Sequence, residues 1–213
     1  PLATLAVKRA NPRTLMLLLL TALVAVSLVS LLIGAGSVGP GRAMALLSGA
    51  EDSEARFIVW ELRAPRTLIG IVVGMALGVA GALLQAVARN PLAEPGLLGV
   101  SAGAAFAVAL ALVLGTSAAT LRISVAQLGA LLGCVCVLSV ARFRGVGNDP
   151  IRLVLAGAAF SGLLASLTSL ILLYDQRAAD EIRFWIIGSL AGRRLDDLLS
   201  VLPSMLVASV IVL

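Results

Sequence analysis

Apolar and polar positions alternate along this chain in long blocks rather than with the short periods of a soluble amphipathic helix or strand. Apolar runs of about 20 residues, the length that a helix needs to cross a hydrocarbon layer about 30 Å thick, are separated by shorter polar segments. The pattern predicts five complete membrane-spanning helices. They are Thr14–Ile33, Thr67–Ala88, Leu97–Leu114, Ile123–Ala141 and Ile151–Leu173.

A sixth apolar run begins near Leu198 and continues to Leu213, where the sequence stops. The chain also begins at Pro1 rather than at a methionine. We therefore expect the N-terminal part of a longer protein. The predicted fold class is an all-α polytopic membrane protein, with residues 1–213 forming a single transmembrane domain that is incomplete at its C-terminus.

Composition agrees with this class, since 60% of the residues are hydrophobic, 13% are charged and the mean hydropathy is +1.09.

The first apolar run has one alternative interpretation, a cleaved secretory signal, because Lys8, Arg9 and Arg13 precede it and small residues follow at 34–36. Its length and the further spans behind it favour a membrane helix.

Lys and Arg are denser in the segments that lie inside if the N-terminus is cytoplasmic, which predicts that orientation. The basic balance of charge is then a signal of topology, and no nucleic-acid partner is predicted.

The residue types present exclude several kinds of site. The chain has no histidine, and Cys134 and Cys136 lie two apart within one span, where a helix directs them to different sides. Lys8 is the only lysine, so no phosphate-binding Gly-x-x-x-x-Gly-Lys loop exists. We predict no metal, no cofactor and no enzymatic activity in this chain.

The spans also lack the buried charges that ion relays use. Their interiors carry uncharged polar residues instead. This suits a translocation path for a large solute, with transport driven by another subunit. Glycines recur every three or four residues in the second run, at Gly70, Gly74, Gly78 and Gly81. They are four apart in the third run, at Gly99 and Gly103, and in the fourth, at Gly129 and Gly133. This spacing predicts that the second span lies in the middle of a tightly packed bundle, with a dimer seam as the alternative.

Two polar segments fall on the predicted outer side. In the first, Arg63 and Arg66 flank a proline and would present two fixed positive charges at the surface. The alternative is that they are snorkelling anchors beside Trp60. The second segment, residues 175–197, contains an apolar stretch too short to span the membrane, which predicts a short helix at the outer rim. Its candidate residues are Arg183, Phe184, Trp185 and Gly188.

A polar connector, residues 89–100, separates the second and third runs. Pro91 and Pro95 remove two backbone donors, and Gly96 and Gly99 allow close backbone approach, so a shaped turn is expected.

Taken together, these motifs resemble the permease subunits of bacterial ABC importers for ferric siderophores, vitamin B12 and haem. The residues of these motifs are most similar to those of ferric-siderophore permeases of the ferric enterobactin type. The resemblance covers essentially the whole chain and rests on Trp60-x-x-Arg63-x-Pro65-Arg66-Thr67, Gly81-Ala82-Leu83-Leu84-Gln85, Arg89-Asn90-Pro91-Leu92-Ala93-Glu94-Pro95-Gly96-Leu97-Leu98-Gly99-Val100-Ser101-x-Gly103, Arg152-Leu153-x-Leu155-Ala156-Gly157 and Arg183-Phe184-Trp185-x-x-Gly188-Ser189-Leu190.

The resemblance implies a fold of about ten transmembrane helices, of which this chain covers roughly the first six. It implies a bacterial inner-membrane location, a second permease subunit that is identical or different, and two cytoplasmic ATPase subunits that bind ATP and Mg²⁺. It also implies a periplasmic or lipid-anchored substrate-binding protein. The helices that couple to the ATPase lie beyond Leu213 in this family.

Site residues follow from the same resemblance. Arg63 and Arg66 would receive acidic residues of the binding protein. Two loops would form a cytoplasmic gate, with Asn90, Pro91 and Leu92 in one and Asp149 and Pro150 in the other.

The fifth span would line the translocation path, and its weakly polar wall would not bind iron because the chelator does. The candidate path residues are Ser161, Ser166, Thr168 and Ser169.

Other interpretations stay open at this point. Cobalamin or haem could replace the siderophore as substrate. A secondary transporter would need charged or broken helices outside this sequence, and a membrane-embedded enzyme would need clusters of histidine, cysteine or carboxylate that this sequence lacks.

Overall fold

A computed structural model describes residues 11–91, 93–116, 123–142 and 150–212. Regular structure in these ranges is helical. The helices are α1 (Pro12–Leu32), α2 (Pro40–Leu47), α3 (Ser53–Phe57), a π-helical segment (Ile58–Arg63), α4 (Ala64–Ala88), a 3₁₀ turn (Pro95–Leu98), α5 (Val100–Val113), α6 (Ile123–Arg142), α7 (Pro150–Leu172), α8 (Gln176–Ile187) and α9 (Leu195–Val212).

Side-chain caps fix where several helices begin. The Asn11 side chain accepts from the backbone N–H of Arg13 ahead of Pro12, which occupies the first helical position. Asp52 accepts from the N–H of Ala55 at the start of α3, and Asp175 caps α8 in the same way.

Four helical stretches are long and apolar enough to cross a membrane: Pro12–Leu32, Ser53–Val87, Ile123–Ala141 and Arg152–Leu172. Each contains most of a predicted span. The predicted third span, Leu97–Leu114, is wrong in extent, because Gly99 adopts a left-handed conformation with φ 72° and separates the 3₁₀ turn from a helix of only 14 residues. A left-handed residue interrupts α-helical hydrogen bonding, and glycine adopts it without strain.

The predicted second span starts earlier than its apolar run. α3, the π-helical segment and α4 form one continuous helical stretch of 35 residues, Ser53–Val87. Pro65 lies inside this stretch without an N–H to donate. The π-helical segment directly before it changes the hydrogen-bond register where an α-helix would meet the ring of the proline.

The described residues divide into two compact units. The first covers residues 11–72 and 190–203. Its core is small and joins the turn after α1, α2 and the helical stretch from Ser53: Val38, Ala43, Ala55, Ile58 and Val59 are buried together.

The second unit covers residues 73–189 and 204–212, and α5 lies at its centre, against α6, α7 and α8. Its core pairs Val108, Ala109 and Leu112 of α5 with Ala178 and Ile182 of α8.

The tightest helix contact is not the one that glycine spacing predicted. A Cβ at Gly74, Gly78 or Gly81 of α4 would meet no atom within 4 Å among the described residues. A Cβ at Gly129 on α6 would instead lie 2.5 Å from the carbonyl oxygen of Gly103 on α5. The small-residue seam is therefore formed by α5 and α6, where the backbones touch.

Candidate functional site

Arg63 is a buried residue, with 1% of its surface exposed. Its guanidinium donates only to backbone carbonyls at the end of α1 and in the turn that follows. The acceptors are Leu31 (3.1 Å), Leu32 (2.8 Å), Gly34 (3.3 Å), Ala35 (3.3 Å) and Val38 (2.7 Å).

These contacts explain why a charge is tolerated there. The last carbonyls of a helix have no partner within the helix and form the negative end of its dipole. Arg63 supplies donors to that end and to the turn at once. The expectation that Arg63 presents a charge at the surface is therefore wrong, because its donors all point inward.

Arg66 lies one turn further along and differs from Arg63 in its surroundings. It is half-buried, and its Nη2 lies 3.5 Å from the hydroxyl oxygen of Ser30. Ser30 bonds in turn to the Thr67 hydroxyl at 2.7 Å, and Thr67 donates to the carbonyl of Arg63 at 2.9 Å. Docking of an acidic residue at Arg66 stays a prediction.

Gly34 brings the two guanidinium groups together. A Cβ at this position would lie 3.0 Å from Nη2 of Arg66 and 3.3 Å from Nε of Arg63. The absence of a side chain at Gly34 lets both arginines approach the end of α1. The sequence showed small residues at 34–36 but not what they accommodate.

A second polar cluster, which the sequence analysis missed, joins α2 to the start of α3. Arg42 donates to Asp52 at 2.8 Å and to Glu54 at 2.9 Å, and the Ser37 hydroxyl donates to Glu54. The backbone N–H of Ala55, and next to it Arg42, hold the pKa of Asp52 below its ordinary value. An aspartate directly before a helical run is the sequence signal that predicts the capping half of this arrangement.

An open groove of about 1110 Å³ lies beside this cluster. The exposed rings of Phe57 and Trp60 line it together with Glu51, Arg56 and Glu61. Exposed aromatic side chains and arginine in one concave surface are typical of interaction sites.

The connector after α4 begins with a Schellman turn. The N–H of Asn90 donates to the carbonyl of Gln85, and the N–H of Arg89 donates to Ala86. Arg89 occupies the left-handed position of this turn with φ 47°, where glycine is usual. The chain then turns again, since the N–H of Ala93 donates to the carbonyl of Asn90.

The end of the connector is fixed by contact with α6 and α7. The carbonyl of Leu97 lies directly against Gly157 of α7, where no Cβ would fit. A Cβ at Gly99 would lie 2.9 Å from the Val137 side chain and 3.0 Å from the Phe160 ring. Two motifs that the sequence presents separately, around Leu97 and around Gly157, thus meet in one packed junction.

The chain as a whole is similar to known proteins. The sequence model of the FecCD transport family matches residues 19–213. This chain belongs to the FecCD transport family. It is 44% identical over 191 residues to the ferric enterobactin transport system permease protein FepD of Escherichia coli strain K12, covering 89% of this chain and 57% of FepD.

Other relatives differ in what their names say they carry. The chain is 34% identical over 175 residues to the Fe(3+)-citrate import system permease protein YfmD of Bacillus subtilis strain 168, covering 82% of this chain and 52% of that protein. It is 34% identical over 159 residues to the cobalamin import system permease protein BtuC of Halobacterium salinarum, covering 75% of this chain and 43% of BtuC.

A solved structure agrees with the fold. The chain matches an inward-facing conformation of a metal-chelate type ABC transporter with a TM-score of 0.73 and 30% identity, over 94% of this chain and 61% of that one. The predicted all-α permease fold of a polytopic membrane protein is confirmed. The chain spans about two fifths to three fifths of the length of these relatives.

Three of the five candidate gate residues of this FecCD chain lie within the described residues. Asn90 is half-buried and Pro91 is exposed, at the start of the connector. Pro150 is the first residue of α7, whereas Leu92 and Asp149 lie outside the described residues. The gate function of all five stays a prediction.

The four path residues do not share one face of α7. Ser161 and Thr168 lie two turns apart on its inner side, and their hydroxyls are buried without a hydrogen-bond partner in the described part of the chain. Ser166 and Ser169 are exposed on another side, and Ser166 donates to the carbonyl of Gly162 at 2.9 Å. A single wall built from all four is excluded by this helix geometry. Their role in translocation stays a prediction.

The short helix expected near Arg183 is confirmed as α8. Arg183 pairs with Asp180 at 3.2 Å on its exposed side, and Gly188 ends the helix with φ 69°. Phe184 and Trp185 are exposed, on a different side from Ile182, which is buried against α5. Its location at an outer rim stays a prediction.

Proposed function

We propose that this chain forms part of the permease subunit of an ABC importer that carries a ferric siderophore across the bacterial inner membrane. The 44% identity to FepD over 191 residues carries the proposal. The Leu97–Gly157 junction supports it, because two of the motifs behind the resemblance contact each other in the structure.

The proposal includes three kinds of partner. A second permease subunit, identical or different, completes the path. Two ATPase subunits bind ATP and Mg²⁺, since the sequence has no phosphate-binding loop of its own. A periplasmic or lipid-anchored binding protein delivers the chelate. The name of the matching solved structure, an ABC transporter, favours this assembly over an ion-coupled secondary transporter.

We place the docking of the binding protein on the exposed surface of the turn after α1 and of α2. Arg63 contributes indirectly in this proposal, because it holds the turn through its carbonyl contacts. A photo-crosslinking residue in place of Met44, which is exposed on α2, is expected to capture the cognate binding protein. The matched control is Met75, which is similarly exposed but lies within the apolar part of α4.

The substrate is tested by uptake of radio-iron as a ferric siderophore into cells that lack the gene and its redundant importers. We expect the full-length gene to restore ATP-dependent uptake. Labelled cobalamin and haem are measured in parallel. Restoration of one of these instead of iron uptake would reject the siderophore and assign that substrate, which the cobalamin relative makes the second candidate.

A further inference from the structure

Arg66 has hydrogen-bonding capacity that the described residues do not use. A guanidinium has five N–H donors, and the contact that Arg66 makes in this part of the chain is the 3.5 Å approach to Ser30. Its neighbour Arg63, by contrast, donates to five carbonyls at 2.7–3.3 Å. Arg66 therefore has N–H donors available for a further acceptor, and an anion with several oxygens suits a guanidinium best.

The space beside Arg66 is a cavity of about 310 Å³ between α1 and α4. Its polar end is formed by Arg66, Ser30 and Thr67, and its far walls are apolar, at Leu23 and Ile71. Ser27 also lines the cavity, and its hydroxyl donates to the carbonyl of Leu23 at 2.7 Å. Ile71 is five residues beyond Arg66, and Leu23 is seven before Ser30. At 1.5 Å per residue, the cavity wall changes from cationic to purely apolar over roughly 8–10 Å.

The helices that form the cavity are held together mainly at its polar end. No residue of α1 is buried, although α1 and α4 both belong to stretches apolar enough to span a membrane. The contacts across the gap include the Ser30–Thr67 bond and the carbonyl bonds of Arg63. Below them, the apolar faces of the two helices leave space for hydrocarbon.

We propose that this cavity binds a membrane phospholipid, whose phosphate is held by Arg66 and whose acyl chain lies against Leu23 and Ile71. Inorganic phosphate would pair with the guanidinium but leave the apolar walls uncovered. A neutral diacylglycerol would cover the walls but leave the guanidinium without an acceptor. A phospholipid provides an acceptor for the guanidinium and also covers the apolar walls. The experiment therefore compares these three ligands.

The test uses the full-length protein purified in detergent, with bound lipid measured by native mass spectrometry after addition of phosphatidylglycerol, diacylglycerol or inorganic phosphate. We expect wild type to retain one phosphatidylglycerol and Arg66→Gln to bind it at least about tenfold more weakly. Arg177→Gln, which removes an exposed arginine on α8, is the matched control and is expected to bind as wild type does.

A second variant tests the apolar end without changing the charge. Gly70 lines the cavity, and a Cβ there would lie 3.5 Å from Leu190, so Gly70→Leu should fill the acyl position. Gly78→Leu, at a glycine with open space around it, is its control. We expect Gly70→Leu to lose the lipid and Gly78→Leu to keep it, including in the case that Arg66→Gln does not fold.

Three results would overturn the proposal. The first is equal retention of phosphatidylglycerol by wild type, Arg66→Gln and Gly70→Leu. The second is displacement of the lipid by inorganic phosphate alone, which would assign the guanidinium to a free anion. The third is unchanged lipid binding in Arg66→Gln together with weaker binding of the substrate-binding protein, which would assign Arg66 to docking instead. None of these readouts depends on the identity of the transported chelate.

Discussion

The guanidinium of Arg63 donates to the carbonyl oxygen of Leu32 at 2.8 Å, so the start of the second long helical stretch closes the end of the first. The carbonyls at a helix C-terminus usually find water, a tightened last turn or a cap from their own segment. Here a residue 31 positions away performs that task. The bond links the two stretches through one side chain.

Loss of the Arg63 side chain is expected to be costly. Arg63→Ala leaves five carbonyls with fewer donors, and we expect the free energy of unfolding to fall by about 3 kcal/mol. Arg63→Lys should recover only part of this, because an ammonium group has three N–H donors in place of the five of a guanidinium. Chemical unfolding of the full-length protein in detergent measures both values.

Arg56→Ala is the matched control for that experiment. Arg56 belongs to the same helical stretch but is exposed. We expect its removal to change the unfolding free energy by less than about 0.5 kcal/mol. A comparable loss in Arg56→Ala and Arg63→Ala would contradict the capping role of Arg63.

The hydrogen bond from the backbone N–H of Ala55 and the pairing with Arg42 together lower the pKa of Asp52, which predicts a dependence on pH. A carboxyl whose pKa is lowered by folding stabilises the protein above its unfolded pKa, and this contribution is lost as pH falls through the folded pKa. For Asp52 the ordinary value is 3.8, so the contribution is complete at pH 7 and declines below that value. Asn at position 52 keeps the capping oxygen and removes the charge.

We therefore expect Asp52→Asn to unfold at lower denaturant than wild type at pH 7, and the difference to vanish in strong acid. Glu51→Gln, which changes the neighbouring exposed carboxylate, is expected to show no such trend. A wild-type advantage over Asp52→Asn that persists below the lowered pKa would refute the charge pairing as its source.

The seam between α5 and α6 predicts different outcomes for glycines that look alike in sequence. A Cβ at Gly133 would lie 2.5 Å from the carbonyl oxygen of Gly99, so Gly133→Ala should force the helices apart and cost about 2 kcal/mol. Gly78→Ala meets no atom of the described residues within 4 Å and should stabilise α4 by up to about 1 kcal/mol. Unfolding of the two variants side by side measures this, and equal effects would argue against the seam.

The left-handed conformation of Arg89 predicts a stabilising substitution. A side chain in this conformation costs about 1 kcal/mol relative to glycine, so Arg89→Gly is expected to raise the unfolding free energy by somewhat less than that. Ala86→Gly, inside the same helix, should lower it by about 1 kcal/mol. Destabilisation by both substitutions would show that Arg89 is needed for its side chain.

Thr168 carries a buried hydroxyl that has no hydrogen-bond partner among the described residues. Thr168→Val keeps its shape and removes the unpaired group, and we expect a gain of about 1 kcal/mol in stability with iron uptake unchanged. Ser166→Ala, at an exposed hydroxyl bonded to Gly162, should change neither quantity measurably. A tenfold loss of uptake in Thr168→Val would instead indicate a binding site for the chelate at this position.

Much of the helical architecture was predictable because its signals are local. The apolar runs located α1, α4, α6 and α7, and the short run near Arg183 indicated α8. The length of the third span was overestimated because Gly99 and its neighbours are as apolar as the residues of a membrane-spanning helix. The left-handed turn at Gly99 packs against Val137 and Phe160, which belong to other elements.

The site was less predictable, because its features also depend on contacts between residues far apart in the chain. The sequence identified Arg63 and Arg66 as a pair, but their separation along the chain does not show that one is buried and the other lines a cavity. Likewise, the recurrence of glycine in several spans does not show which pair of helices makes contact.

The sequence by itself determined the membrane class, the approximate position of most spans, the family resemblance and the absence of a phosphate-binding loop. These follow from composition and from spacing along one segment. Only the tertiary structure decided that Arg63 caps α1, that Leu97 lies against Gly157 and that α5 pairs closely with α6. Each of these depends on distances between residues far apart in the chain, which folding sets and local pattern does not encode.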